Sequence, residues 1–179
     1  ETITGSEVDD LIDGYGGDDT ITGLGGDDII IGGDGNDVID GGIGTNRLYG
    51  DAGDDTITSA GTNDVVDAGE GNNNIIISGT ANGGTYTSGD GNDSYIIQED
   101  ASGTSSFNSG DGVDTFTFES GFEGRAYIDA GDNGVKTLNL NGGEVSQWSS
   151  GSGDDVITSS IGTFLNYWGG GGLRTNAGN

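Results

Sequence analysis

The sequence predicts an all-β fold, a parallel β-roll or β-solenoid, in which short strands stack along one axis. Three observations support this prediction: a period of nine residues, one large aliphatic residue in each period, and turn-forming residues between them. Residues 5–76 divide into eight consecutive blocks of nine with no gap, and glycine occupies the fourth position in six of them. The eighth positions are all aliphatic: Ile12, Ile21, Ile30, Ile39, Leu48, Ile57, Val66 and Ile75.

Each block contains one short strand with a single inward side chain. In Thr20-Ile21-Thr22, strand-forming residues flank the aliphatic residue, and the rest of the block is mostly Gly, Asp and Asn, which favour turns. Two blocks therefore form one coil of about 18 residues, and stacked coils bring two aliphatic rows into a thin core. Each buried Ile contributes roughly 1.5–3 kcal/mol, which is little beside the entropy lost when so many glycines are ordered.

The sixth position of the block carries the second repeated signal, because it is always Asp or Asn. The chain has 31 acidic and four basic residues, a net charge of -27. Stacked turns would place these carboxylates about 4.8 Å apart, where they repel one another. A hard cation that accepts carboxylate and carbonyl ligands converts this repulsion into cohesion, and Ca²⁺ fits better than Mg²⁺. The absence of His and Cys removes the usual zinc ligands.

One block matches a known repeat in full. Gly32-Gly-Asp-Gly-Asn-Asp-Val-Ile-Asp40 reads G-G-x-G-x-D-x-U-x, where U is a large apolar residue. On this motif the chain resembles the repeats-in-toxin (RTX, haemolysin-type) calcium-binding family. The resemblance implies an ion between consecutive loops on one edge of the roll. The earlier loop would supply its sixth residue and carbonyls two and four, and the later loop its sixth residue and carbonyls one and three.

Applied to this sequence, the resemblance implies three sites with two carboxylates: Asp10 with Asp28, Asp19 with Asp37, and Asp37 with Asp55. The other sixth-position ligands are Asp64, Asp93, Asp114, Asn46 and Asn73. Pairs that include asparagine should bind calcium more weakly. The implied ligands from the turns are Gly17, Gly23, Gly25, Gly32, Gly33, Asp34, Gly35, Gly50, Ala52 and Gly53. We expect about three strong calcium sites and up to about eight in all.

The second part of the chain continues the repeat with less regular spacing. We predict one domain, with regular repeats in 1–76, wider stacked coils of about 19–22 residues in 77–158, and a cap or junction segment in 159–179. The predicted inward residues of the wider coils are Tyr86, Tyr95, Phe107, Phe116, Leu138 and Ile157. The calcium-type loop continues on one edge, through Asn73, Asp93, Asp114, Lys136 and Asp155. The other edge becomes small and polar around Gly84, Ser105 and Ser146.

Lys136 occupies the sixth position of its predicted block, where the other blocks carry Asp or Asn on this edge. Two interpretations of this lysine remain open. Its ammonium group could replace a bound cation, or it could be a solvent-facing lysine on a degenerate turn. A metal ion beside Lys136 would reject the first interpretation.

Three classes of function fit the sequence. The first is a calcium-dependent extracellular structural or assembly module, part of a surface layer, filament or adhesin. The second is the calcium-triggered folding and secretion domain of an exported toxin or enzyme. The third is an ice- or glycan-binding face, because outward threonines such as Thr20 and Thr22 recur on one sheet. Residues 175–179 followed by 1–4 read as a complete nonapeptide, which suggests head-to-tail stacking of identical subunits, a tandem array, or coincidence.

Composition argues against several other functions. The sequence has no His, no Cys and no G-x-S-x-G motif, and its acidic pairs recur with the repeat, so we expect no enzyme activity. The negative charge disfavours nucleic acid and anionic membranes, and no apolar run is long enough to insert into a membrane. We expect a secreted protein, located outside the cell or on the bacterial surface.

Overall fold

The computed structural model describes residues 1–79, 82–122, 124–141, 144–151, 154–159, 165–169 and 174–177. Among these residues, 19 strands form two parallel sheets, and no helix is present. The fold is therefore a parallel β-solenoid, as predicted. None of the described segments includes a helix with the length and apolarity to cross a membrane.

The chain alternates between the two sheets, so that odd-numbered strands build one sheet and even-numbered strands the other. The ten-stranded sheet contains β1 (Thr2–Thr4), β3 (Thr20–Thr22), β5 (Val38–Asp40), β7 (Thr56–Ser59), β9 (Asn74–Ile77), β11 (Ser94–Ile97), β13 (Thr115–Phe118), β15 (Thr137–Leu140), β17 (Val156–Ser159) and β19 (Arg174–Ala177). The nine-stranded sheet contains β2 (Leu11–Asp13), β4 (Ile29–Asp34), β6 (Arg47–Ala52), β8 (Asp64–Asp67), β10 (Asn82–Thr87), β12 (Ser102–Asn108), β14 (Arg125–Asp129), β16 (Glu144–Ser150) and β18 (Leu165–Gly169).

Strand register gives the length of each coil directly. Ile21 pairs with Ile39 in the early part of the chain, so one early coil equals two blocks of nine. Tyr86 pairs with Phe107, and Phe116 pairs with Leu138, so the sequence separation between stacked partners grows along the axis. The predicted widening of the coils is thus confirmed.

The coils widen where the first sheet gains a second inward position. Its later strands have four residues, and the last of these also points into the core. This adds a column of buried side chains: Ile77, Ile97, Phe118 and Leu140. This column was not predicted from the sequence, because the nine-residue block has a single inward position.

The core changes from aliphatic to aromatic along the axis. All predicted inward residues from Ile12 to Ile157 are buried. Tyr95 stacks on Phe116 with ring centroids 4.6 Å apart, and Phe107 meets Tyr95 edge to face at 5.7 Å. Trp148 is fully buried and contacts Phe116, although its position was not predicted as inward. Large aromatic rings fill the wider coils, which isoleucine would leave partly empty.

The polar edge opposite the ladder folds differently from the prediction. Gly84 and Ser105 lie inside β10 and β12 and pair with each other, rather than forming turns. Long strands thus replace the turns on this side. The last predicted segment, 159–179, contributes β18 and β19, which extend both sheets. Phe164, the side chains of Tyr167 and Trp168, and the proposed junction at 178–179 lie outside the described residues.

Candidate metal centre

Turns of successive coils lie so close together that no side chain fits between them. This close approach explains why glycine recurs in the turns. Gly44 has φ of +131° and faces the carbonyl oxygen of Gly26 in the preceding coil. A Cβ atom at Gly44 would lie far inside van der Waals contact with that oxygen. The fourth-position carbonyl of one loop therefore points along the stack at the next loop, in the direction that the family pattern implies.

The sixth-position residues form a hydrogen-bonded ladder between coils. The backbone N–H of Asp19 donates to Oδ1 of Asp37 at 2.8 Å, and the N–H of Asp37 donates to Oδ1 of Asp55 at 2.8 Å. On the other edge, the N–H of Asp10 donates to Oδ1 of Asp28 at 2.9 Å. The three predicted Asp pairs are thus neighbours, and each bond uses one oxygen of the later carboxylate. The same ladder continues through Asn46, Asp64, Asn73, Asp93 and Asp114.

In four carboxylates of the regular repeats the second oxygen has no hydrogen-bond partner. Oδ2 is buried without a hydrogen bond in Asp19, Asp28, Asp37 and Asp55. Each of these residues follows a glycine at the first position of its block, and a Cβ on that glycine would lie closer than 3.0 Å to Oδ2. A buried carboxylate oxygen without a partner is costly, and a cation is the ligand that would satisfy it.

The chemistry of the donor set, carboxylate and carbonyl oxygens, fits calcium. No group of three or more acidic side chains converges on one point among the described residues. A calcium ion takes six to eight oxygen ligands, so backbone carbonyls would have to complete the shell. The fourth-position carbonyl oxygens of Gly17 and Gly35 approach the next loop at Gly35 and Gly53, beside the Asp19–Asp37 and Asp37–Asp55 pairs.

In other coils, serine replaces glycine at the first position of the block. There the Oδ2 of the sixth-position Asp has a hydrogen-bond partner. Ser59 Oγ donates to Oδ2 of Asp64 at 2.6 Å, and Ser88 Oγ donates to Oδ2 of Asp93 at 2.6 Å. The pairs Ser109–Asp114 and Ser150–Asp155 repeat this contact. These serines were not identified from the sequence. The signal was available, since each lies five residues before the acid, where the best repeats carry glycine.

Where asparagine occupies the sixth position, both ends of its side-chain amide have hydrogen-bond partners. Oδ1 of Asn46 accepts the N–H of Asp28, while its Nδ2 donates to the carbonyl of Gly42 at 3.4 Å. Asn73 does the same with Gly69 at 3.3 Å. The amide group thus bonds the second-position carbonyl of its own loop, an oxygen that the family pattern assigns to calcium.

Lys136 is buried, so the interpretation as a solvent-facing lysine is wrong. Its side chain is 1% exposed, and Nζ lies 2.6 Å from Oδ2 of Asp114. Nζ also donates to the carbonyl of Gly110 at 3.0 Å. The loop before Lys136 is one residue longer than the predicted block. Its first position is Ala130 and not Gly131, because the backbone N–H of Ala130 donates to the carbonyl of Ser149 in the next coil.

A second ladder runs outside the first, through the exposed fifth positions. Here the direction is reversed: the N–H of Asn36 donates to Oδ1 of Asp18 in the preceding coil, at 2.9 Å. The N–H of Asp54 donates to Oδ1 of Asn36 in the same way, at 2.8 Å. Adjacent acidic residues such as Asp18 and Asp19 therefore have different roles, one exposed and one buried.

Burial raises the pKa of several ladder carboxyls. The pKa of Asp55 rises to about 6 because it is desolvated, and the N–H of Asp37 only partly opposes this effect. Desolvation also raises the pKa of Asp93 to about 6, against the Ser88 hydroxyl. The pKa values of Asp28 and Asp37 are raised for the same reason. Without a cation, these groups retain protons more readily than free aspartate does.

Comparison with known families identifies the regular repeats. The family model of the RTX calcium-binding nonapeptide repeat, which spans four copies, matches residues 4–39, 13–48 and 40–75. The resemblance inferred from the motif is therefore confirmed for residues 4–75. No curated protein and no solved structure matches the chain.

Proposed function

Because residues 4–75 consist of RTX calcium-binding nonapeptide repeats, we propose that this chain is a calcium-dependent structural and assembly module that works outside the cell or on its surface. RTX repeats bind calcium and are typical of secreted bacterial proteins. The observation that carries the proposal is the row of buried, unpartnered Oδ2 atoms in Asp19, Asp28, Asp37 and Asp55.

The strongest proposed sites lie between Asp19 and Asp37 and between Asp37 and Asp55, because both members of each pair have an unpartnered Oδ2. Asp10 and Asp28 form a weaker site, since Ser6 already donates to Oδ2 of Asp10 at 2.6 and 2.8 Å. The carbonyl ligands of the two strong sites are drawn from the loops at 14–19, 32–37 and 50–55, namely Tyr15, Gly17, Gly32, Gly33, Asp34, Gly35, Gly50 and Ala52. Bound calcium supplies positive charge between stacked carboxylates and ties adjacent coils together.

Calcium binding and folding are coupled in this proposal. Without calcium, the chain must bury unpartnered carboxylate oxygens while its net charge of -27 favours an expanded state. A ligand that binds only the folded state stabilises it by mass action. Calcium is abundant outside cells, so the module would complete its fold after export, a behaviour that also suits the alternative role as a secretion and folding domain.

The assembly role is supported by the exposed first coil. β1 and β2 are edge strands at the same end of the solenoid. Leu11 and Tyr15 are 75% and 79% exposed there, and they line a cavity with Ile3, Ile12 and Ile31. An identical subunit or an adjacent repeat unit stacked head to tail would cover these edges and this apolar surface.

A face that binds ice or glycan has weaker support. The outward residues of the first sheet form two aligned columns, in which Thr20 pairs with Val38 and Thr22 pairs with Asp40. A further interruption occurs at Asn74 and Ile76. The threonine array is therefore discontinuous.

A calcium titration followed by circular dichroism tests the proposal, with Mg²⁺ at the same concentration as a control. We expect cooperative formation of β-structure with calcium and its loss on addition of a chelator. Sedimentation and negative-stain microscopy then separate the two roles: calcium-dependent filaments support assembly, and monodisperse particles favour the secretion domain. A fold of full stability in chelator, with no calcium bound, would contradict both.

A further inference from the structure

Lys136 interrupts a series of carboxylates on one edge of the solenoid. The levels before and after it carry Asp114 and Asp155 at the sixth position. At both of those levels a serine at the first position donates to Oδ2 of the acid, whereas the level of Lys136 carries Ala130 there. Between Asp93 and Asp155 on this edge, the level of Lys136 thus lacks both the acid and the serine.

The ammonium group of Lys136 contacts two oxygens of the preceding loop. It lies 2.6 Å from the carboxylate of Asp114, at the sixth position, and donates to the carbonyl of Gly110, at the second position. In the regular repeats, the equivalent oxygens are the unpartnered Oδ2 and the second-position carbonyl, for example in Asp37 and Gly33. In the proposed calcium sites, these two oxygens are ligands of the ion.

We infer that the ammonium of Lys136 occupies the position of a calcium ion in its coil, so that this level of the solenoid is held together without metal. The inference rests on the proposed calcium sites in the regular repeats. It extends them by assigning a permanent, covalently attached cation to one level.

Burial supports this assignment over a simple surface ion pair. Lys136 is 1% exposed and Asp114 is 0% exposed in their side chains. Both oxygens of Asp114 already have partners. The backbone N–H of Asp93 donates to Oδ1, and the Ser109 hydroxyl and the Lys136 ammonium donate to Oδ2. A calcium ion at this place would meet a buried positive charge and a carboxylate that needs no further ligand.

Replacing the lysine by the repeat residue tests the inference. Lys136→Asp removes the ammonium and restores two stacked carboxylates, and Ala130 cannot donate to the new one. We expect this variant to bind one more calcium ion per chain than the wild type, measured by equilibrium dialysis and native mass spectrometry. Arg47→Asp is the matched control, because it changes the charge equally at an exposed strand position and should leave the calcium count unchanged.

A folded Lys136→Asp protein with the wild-type calcium count would overturn the inference. If the variant does not fold, the anomalous scattering of a calcium-loaded wild-type crystal decides instead. We expect calcium peaks beside Asp37 and no peak between Asp114 and the loop of Lys136. A peak there, within about 2.6 Å of Asp114 Oδ2, would refute the inference. A wild type that binds no calcium at all would contradict the proposed function itself, which separates the two failures.

Discussion

Asp37 is the residue at which the calcium ladder can be tested most directly. It lies between Asp19 and Asp55 on one edge, accepts the N–H of Asp19 through Oδ1, and leaves Oδ2 buried without a partner. Substitution Asp37→Asn keeps the Oδ1 acceptor and replaces Oδ2 by an amide NH₂ group. Asn46 and Asn73 demonstrate the result within this chain, because their amides bond the second-position carbonyl of their own loops.

The variant should shift stability in opposite directions with and without calcium. In chelator it removes an unsatisfied buried oxygen, so we expect the free energy of unfolding to rise by about 1–3 kcal/mol. With calcium it weakens two proposed sites. At about 100 times the dissociation constant each bound ion contributes about 2.7 kcal/mol, so up to about 5 kcal/mol of calcium-dependent stabilisation would be lost.

Urea denaturation in chelator and in calcium measures both effects, and Asp18→Asn is the matched control. It makes the same charge change one residue away, at an exposed position whose Oδ1 only accepts the N–H of Asn36. We expect little change in the control under either condition. If Asp37→Asn destabilised the calcium-free protein, or if both variants lost calcium stabilisation equally, the assignment of Oδ2 to the metal would be wrong.

The same contacts lead to three further predictions. Ser109→Ala removes the hydroxyl that Asp114 accepts, so stability in chelator should fall by about 1–3 kcal/mol while the calcium count stays the same; urea denaturation and dialysis check this. The pKa of Asp55 is raised to about 6, so the calcium-free fold should gain stability as pH falls below about 6 and reach the full gain below the unfolded pKa of 3.8; a urea midpoint that drops between pH 7 and 5 would contradict this. Gly53→Ala places a Cβ against a neighbouring carbonyl, whereas a Cβ at Gly17 meets no atom within 4 Å. Gly17→Ala should therefore cost only the strain of its positive φ, about 1–3 kcal/mol. Calorimetry should find the Gly53→Ala protein less stable than the Gly17→Ala protein.

Much of the fold was predictable because every coil repeats the same local geometry. A nine-residue period with one aliphatic position admits few alternatives to stacked three-residue strands, and the predicted inward residues are buried. The wider coils were harder to predict. Ile77 and Phe118 enter the core through a second inward position that the nine-residue template does not contain, and Gly84 lies in a strand because its neighbours extend the sheet.

The candidate site was predicted by residue type, and its chemistry was decided by contacts. The sequence by itself determined the repeat and the stacking of Asp19, Asp37 and Asp55, and it predicted a cation between them, because these follow from spacing and charge. The tertiary structure alone decided which carboxylate oxygens lack a partner, since that depends on the atoms that meet across a gap between coils. Lys136 is the clearest case: only the position of the preceding coil brings its ammonium to Asp114, and this contact makes it a buried cation.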